Sequence, residues 1–371
     1  MDFERTPEGS DAAALAGTIF ADSCTPERLK EVESGEARFD QELWRRLADA
    51  GLLALVVPET HDGSGLGLLE LACVLVEAGR RLAPVPLATH AVTSMALARF
   101  GTPTQQARWL PVAGLGESVV TAALSEDRLH SPDEPVTRAE NDGSTWLLTG
   151  SKSVVPAGTL ADLFVVPAGT ADGPTVLLVH ADDPGVTVQP QQLSDGDLAT
   201  RLELDRAAVP LDRVLGHVGE GREVVDWLTS HLTVAVCAHQ VGTLEGALTL
   251  TAEHARTREQ FGKPIGTFQA VSQRLADAYV DVMGTRLTMW QAAWRLAEDL
   301  PAEREVAIAK LWAADAGHRV AHTAVHVHGG VGIDLDGEAH RFFTGAKRNE
   351  FVLGGATEQA RAIGRLLAVE A

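Results

Sequence analysis

Two segments hold the residues of this 371-residue chain whose types and spacing could do chemistry: Arg258-Glu-Gln-Phe261-Gly262-Lys-Pro-Ile-Gly-Thr-Phe-Gln269 and His326-Val-His-Gly329-Gly330-Val-Gly332. A guanidinium is a planar fork that pairs two phosphate oxygens at once. Phe261 can lie against an adenine face, and the glycines let the backbone approach a pyrophosphate closely. Arg258, Phe261 and the Gly329-Gly330 turn are therefore candidates for holding a dinucleotide diphosphate. Arg-x-x-Phe-Gly alone is a weak signal, and the ordinary alternative for Arg258 is a surface ion pair.

Other chemical motifs fall away on inspection. Gly63, Gly65 and Gly67 suggest a phosphate loop, but no lysine follows at the right offset and no strand precedes them. A tight connection between helices accounts for them better. Cys24, Cys73 and Cys237 are far apart and lack metal-ligand spacing, which predicts free thiols in a reducing compartment and no metal site.

The elements that must position these residues change in texture along the chain. Residues 1–117 read as helical: Asp40 to Leu53 carries apolar residues at helical spacing with a stop at Gly51, and a long amphipathic helix is predicted from Leu68 to Arg80. Residues 118–217 contain short β-branched runs such as Leu163-Phe-Val-Val166 and Thr175-Val-Leu-Leu-Val179, separated by Gly, Pro, Asp and Asn. That spacing predicts antiparallel strands in a compact sandwich or barrel. Residues 218–371 turn helical again, with long helices predicted over 232–257, 267–300 and 302–327, as in a bundle. The fold class is α+β and mainly helical.

A formal net charge of −20 argues against nucleic acid and anionic membranes as partners, so any diphosphate must be met by local positive charge. No apolar run approaches the ~18–20 residues of a membrane span. No basic segment with an apolar core opens the chain. A cytoplasmic, soluble protein is the expectation.

Further segments carry a family resemblance. Ala50-Gly-Leu-Leu-Ala-Leu-Val-Val-Pro58-Glu with Gly63-Ser-Gly-Leu-Gly-Leu-Leu-Glu70, then Asp183-Pro-Gly-Val, join the two segments above. Together they resemble the acyl-CoA dehydrogenases, FAD-dependent flavoproteins, nearly end to end. The resemblance implies a helical N-terminal domain, a middle antiparallel β domain and a C-terminal four-helix bundle. It also implies that Arg258, Phe261, Gln269, His326, Gly329 and Gly330 contact the diphosphate and adenine of an FAD in the neighbouring subunit. His326 stands where the family usually has glutamine.

The chain departs from the family where the flavin ring and the catalytic base are held. The family's Thr/Ser-Glu-Pro segment is matched by Leu124-Ser125-Glu126-Asp127-Arg-Leu-His-Ser-Pro-Asp, without the glycines. Its Trp-Ile-Thr/Ser strand is matched by Ser151-Lys152-Ser153-Val154-Val155-Pro156, so valine replaces the stacking indole and proline offers neither hydroxyl nor N–H. The family's base is a glutamate that takes the α-proton of an acyl-CoA thioester. Leu353 or Gly354 falls at that site, and Leu232 or Thr233 at the alternative one. Glu350 and Glu358 lie within a turn of the gap. Glu350 reads as a solvated residue, though it is the candidate for a displaced base, and Glu358 as a first-turn partner of the helix dipole. His231 and His239 read as ordinary helix residues.

This combination resembles the degenerate, non-catalytic subunits of actinobacterial steroid side-chain acyl-CoA dehydrogenases, which form α2β2 assemblies with a paralogous chain. It implies an acyl-CoA substrate and electron-transfer flavoprotein or a similar acceptor. Two alternatives stand beside it: a competent homotetramer with a displaced carboxylate, and a non-enzymatic acyl-CoA or flavin-binding protein.

Overall fold

Helix starts follow side chains that satisfy the first free N–H groups. Thr6 Oγ1 accepts from the Gly9 N–H at 3.0 Å and opens α1 (Pro7–Ser23). After α2 (Pro26–Ser34), Asp40 opens α3 (Gln41–Asp49) by accepting from the Leu43 N–H at 3.0 Å, and Thr102 with Gln105 forms a reciprocal cap on α6 (Pro103–Gly114). The computed structural model describes residues 5–35, 37–127 and 131–370. They divide into two compact units, one of Met1–Lys30, Leu68–Ala83 and Thr233–Ala371, the other of Glu31–Gly67 and Pro84–Leu232.

The second unit contains α3, α5 (Leu87–Phe100), α6 and a sheet. Its strands are β1 (Val120–Ala122), β2 (Arg138–Asn141), β3 (Thr145–Pro156), β4 (Leu163–Thr170), β5 (Gly173–His180), β6 (Val186–Gln192), β7 (Leu198–Pro210) and β8 (Val214–Leu215). Their order is β6-β7-β3-β2-β4-β5-β8, with β1 added on β4. The antiparallel expectation holds for most of the ladder, but β1 and β2 pair with β4 in parallel, so the sheet is mixed. Parallel neighbours need a long return of chain, and the β2–β3 hairpin between β1 and β4 supplies it. β4 and β5 are almost wholly buried, as their continuous apolar runs require.

The first unit gathers α1 and α4 (Leu68–Arg80) with the C-terminal part of α7 (Gly221–Thr257), α8 (Gln269–Ala297), α9 (Glu303–His328), α10 (Ala339–Phe351) and α11 (Ala356–Glu370). α4 and α7 touch backbone to backbone: a Cβ on Gly79 would lie 2.0 Å from the His239 carbonyl oxygen, and one on Gly242 1.9 Å from that of Val76. Leu244, Val282, Val320, Phe342 and Ala346 form the core beside that contact. Tyr279, Val280 and Leu287 leave an apolar face of α8 exposed, and Val331, Ile333 and Leu335 are exposed after α9. Among the described residues, no helix is long and apolar enough to cross a membrane.

Candidate functional site

At the end of α7 the Arg258 N–H donates to the His254 carbonyl at 2.9 Å, and the Arg258 carbonyl accepts from the Ile265 N–H at 2.8 Å. Between these bonds lies a miniature hairpin, β9 (Glu259–Gln260) paired with β10 (Lys263–Pro264). Phe261 and Gly262 form its tip with φ of 54° and 77°. Positive φ at both central residues is the two-residue turn that matches strand twist. Phenylalanine in that conformation is strained by about 1–2 kcal/mol, yet Phe261 is 92% exposed. Its ring meets that of Phe268 edge-on at 6.1 Å, and the Lys263 ammonium lies 4.5 Å from the Phe268 centroid. Gln269 is the exposed first residue of α8.

The second candidate segment closes α9. Gly329 adopts φ 66° and ψ −142°, a conformation reserved for glycine, and its N–H donates to the carbonyls of Val325 and His326. Nothing lies within 4 Å of where a Cβ would stand on Gly329 or Gly330, so this backbone is open to a ligand. The His326 side chain is exposed. The ends of α7 and α9 meet through His254 and His328, whose rings stack at 4.3 Å. That stack joins residues 74 apart in sequence, and nothing in the sequence signals it.

The segment matching the flavin-ring strand is built differently. Lys152 is fully buried and donates to Glu126 Oε1 at 2.6 Å. Glu126 also accepts from the backbone N–H groups of Val136 at 2.6 Å and Thr137 at 3.0 Å. Burial pushes Glu126 up, but Lys152 and Thr137 outweigh it and hold its pKa at about 2. Burial pushes Lys152 down against the pull of Glu126. With three donors on the carboxylate, the two are an ion pair.

The backbone donors of this strand are already engaged. The Ser153 N–H donates to the Ser125 carbonyl at 2.9 Å, and the Val154 N–H to Gln191 Oε1 at 2.9 Å. Val154 sits on an irregularity of the β3–β7 ladder with φ 53° and an exposed side chain. Earlier on the same strand, Thr149, Gly150 and Ser151 border a cleft of about 620 Å³ whose lining includes Glu126, Asp127, Glu203 and Asp205. Residues 128–130 of the matching segment lie outside the described residues. The strand thus offers a flavin edge no backbone donor at 153, 154 or 156. An exposed guanidinium, an exposed aromatic ring and an open glycine turn have the chemistry to meet a diphosphate and an adenine, whereas the described ring-side strand has its backbone donors engaged.

Where the family places its base, α10 ends and Leu353 and Gly354 turn with φ of 59° and 92°. The turn is anchored from within: buried Lys310 donates to the carbonyls of Asn349 and Glu350, each at 3.0 Å. Glu350 is not solvated as expected. Its carboxylate accepts from Lys347 at 2.6 Å and lies 3.4 Å from His318 Nδ1. Glu358 accepts from the Gly355 N–H at 3.1 Å and caps α11. His231 stacks on Trp227 at 3.6 Å and donates from Nδ1 to its carbonyl at 2.8 Å. Burial, then the charge of Arg348, lowers His239 to about 3, and its Nδ1 accepts from Asn349 Nδ2 at 3.0 Å.

A helical and mixed-sheet fold, an open glycine turn and an exposed arginine–phenylalanine hairpin define a flavoprotein dehydrogenase of the acyl-CoA type. Residues 7–117 match the acyl-CoA dehydrogenase N-terminal domain and residues 219–367 the C-terminal domain. Acyl-CoA dehydrogenase FadE27 of Mycobacterium tuberculosis is 48% identical over 99% of both chains, and FadE28 of the same organism is 33% identical over 86% of this chain and 91% of its own. The chain belongs to the acyl-CoA dehydrogenase family, an FAD-dependent oxidoreductase family. In structure it superimposes on a chain of the ChsE4-ChsE5 complex from Mycobacterium tuberculosis with a TM-score of 0.94, at 48% identity and 99% coverage of both chains. A point variant of the Tcur3481-Tcur3483 steroid ACAD gives 0.92 at 39% identity, covering 98% of both.

Proposed function

We propose that this chain is the non-catalytic subunit of an FAD-dependent acyl-CoA dehydrogenase built with a paralogous catalytic chain in an α2β2 assembly. The observation that carries the proposal is the mismatch between its two half-sites. Arg258, Phe261, Gln269, His326 and the Gly329-Gly330 turn stand exposed and unoccluded. The ring segment and the base position are closed: Ser153 and Val154 have engaged N–H groups, Glu350 is ion-paired, and Leu353-Gly354 cannot take a proton.

In this reading the chain binds and orients the diphosphate and adenine of an FAD whose ring and base belong to the partner. When bound, FAD supplies the hydride acceptor for the β-hydrogen of the thioester. Two relatives support an unlike partner: one comes from a complex named for two proteins, and another is named a steroid ACAD with two components. A steroid side-chain acyl-CoA is the substrate we propose, with electron-transfer flavoprotein or a similar acceptor, in the cytoplasm.

The test is co-purification with the paralogous chain followed by flavin-to-chain stoichiometry. One FAD for every two chains is expected, with flavin-poor or poorly soluble protein when this chain is expressed alone. A stable yellow homotetramer carrying one FAD per chain would falsify the proposal.

A further inference from the structure

We infer that His254 and His328 form a proton-accepting half of the diphosphate site, so that this chain binds the nucleotide diphosphate together with one proton on His254. The inference rests on the diphosphate reading of Arg258 proposed above. Its basis is the meeting of two helix ends. His254 lies on the last turn of α7 and His328 on the last residue of α9, with ring planes 22° apart and centroids 4.3 Å apart. The His328 Nδ1–H donates to the Ala324 carbonyl at 2.8 Å, which fixes the orientation of that ring.

His328 faces His254 from α9, and Arg258 follows it by one turn at the base of the hairpin. Glu253 on its own helix is ion-paired with Arg256. On the hairpin, Lys263 lies over the Phe268 ring, and Glu259 is exposed beside it. Burial, then His328, then Arg258, all oppose a proton on His254.

A dinucleotide diphosphate brings two negative charges, both ionised throughout the neutral range. Arg258 matches one of them. A protonated His254 matches the second, in a chain whose net charge of −20 gives the anion no help from the global field. The arriving anion sets an attraction against burial and against the repulsion of His328 and Arg258, so binding and protonation occur together.

Calorimetric titration of FAD into the flavin-free complex, in buffers of different ionisation heat near neutral pH, counts the protons. About one proton should be taken up per FAD, and affinity should rise about tenfold per pH unit, up to about a hundredfold between about pH 8 and pH 6. His254→Gln should abolish the uptake and flatten the pH profile, whereas His326→Gln should keep the uptake. No uptake in the wild-type complex, uptake that persists in H254Q, or uptake lost only in H326Q each overturns the inference. Arg258→Ala separates it from the reading beneath it. If R258A binds FAD as tightly as wild type, the diphosphate reading itself falls. If R258A weakens FAD while the wild type takes up no proton, only the proton linkage falls.

Discussion

Glu350 is the one carboxylate near the base position whose fate decides whether this chain could carry out proton abstraction itself. Lys347 holds it in an ion pair within the first unit, with the His318 ring beside it, and Glu358 is engaged as a helix cap. Glu350→Gln and Glu358→Gln in the assembled complex should therefore leave flavin reduction by acyl-CoA within a few-fold of wild type. Removing a true general base costs about 10²–10⁴-fold. A drop of that size in either variant, with FAD still bound, would make this chain catalytic. That Leu353 and Gly354 carry no carboxylate is legible in the sequence, because it is a matter of residue identity. The setting of Glu350 was only half legible. Lys347 lies one turn back on the same helix, but His318 comes from α9 and Lys310 anchors the turn from beneath.

At the scale of elements, the hairpin after α7 separates the work of a turn from the work of a ring. Phe261 occupies a left-handed position that glycine fills without strain, so Phe261→Gly should preserve the hairpin and remove only the aromatic face. FAD affinity of the complex should then fall by about 1–3 kcal/mol, the usual magnitude for stacking a base on an aromatic side chain. Equal affinity in F261G and wild type, measured with assembly intact, would remove Phe261 from the site. The motif was readable because it is local. The turn geometry was not, since a strained phenylalanine gives no turn signal of its own. Helices with clear periodicity were equally readable: α4 spans Leu68–Arg80 as its pattern predicts. α7 begins at Gly221 instead of near Leu232, because its mixed first turns show little amphipathic pattern. β2 gives no strand signal, because Arg138-Ala-Glu-Asn141 has one buried side chain and its place in the sheet is set by backbone pairing.

The two units of the whole molecule share one vulnerability, a buried neutral imidazole in each. In the sheet-containing unit, His90 donates from Nε2 to the Ala113 carbonyl at 3.1 Å while its Nδ1 accepts from the Val120 N–H at 3.3 Å. In the helical unit, His239 Nδ1 accepts from Asn349. A second proton on either ring would set N–H against N–H in a buried site. Burial accordingly lowers His90 to about 4, and burial with Arg348 lowers His239 to about 3, both from an ordinary value of 6.5. The sign follows from linkage. Below pH 6.5 the unfolded chain binds protons at these positions that the folded chain refuses, so stability falls as pH falls. Glu126 also loses its contribution with acid, but over a lower window, from the ordinary carboxylate value of 4.5 down to about 2. Thermal melting should therefore show a Tm that is level above about pH 7.5 and declines steadily from about pH 6.5 toward pH 4.5, before carboxylate protonation adds a second decline. His239→Gln, whose amide oxygen can still accept from Asn349, should make the first decline shallower without moving the second. A Tm constant from pH 7 to pH 5, or an H239Q profile that changes only below pH 4.5, would show that His239 is not held neutral by the fold.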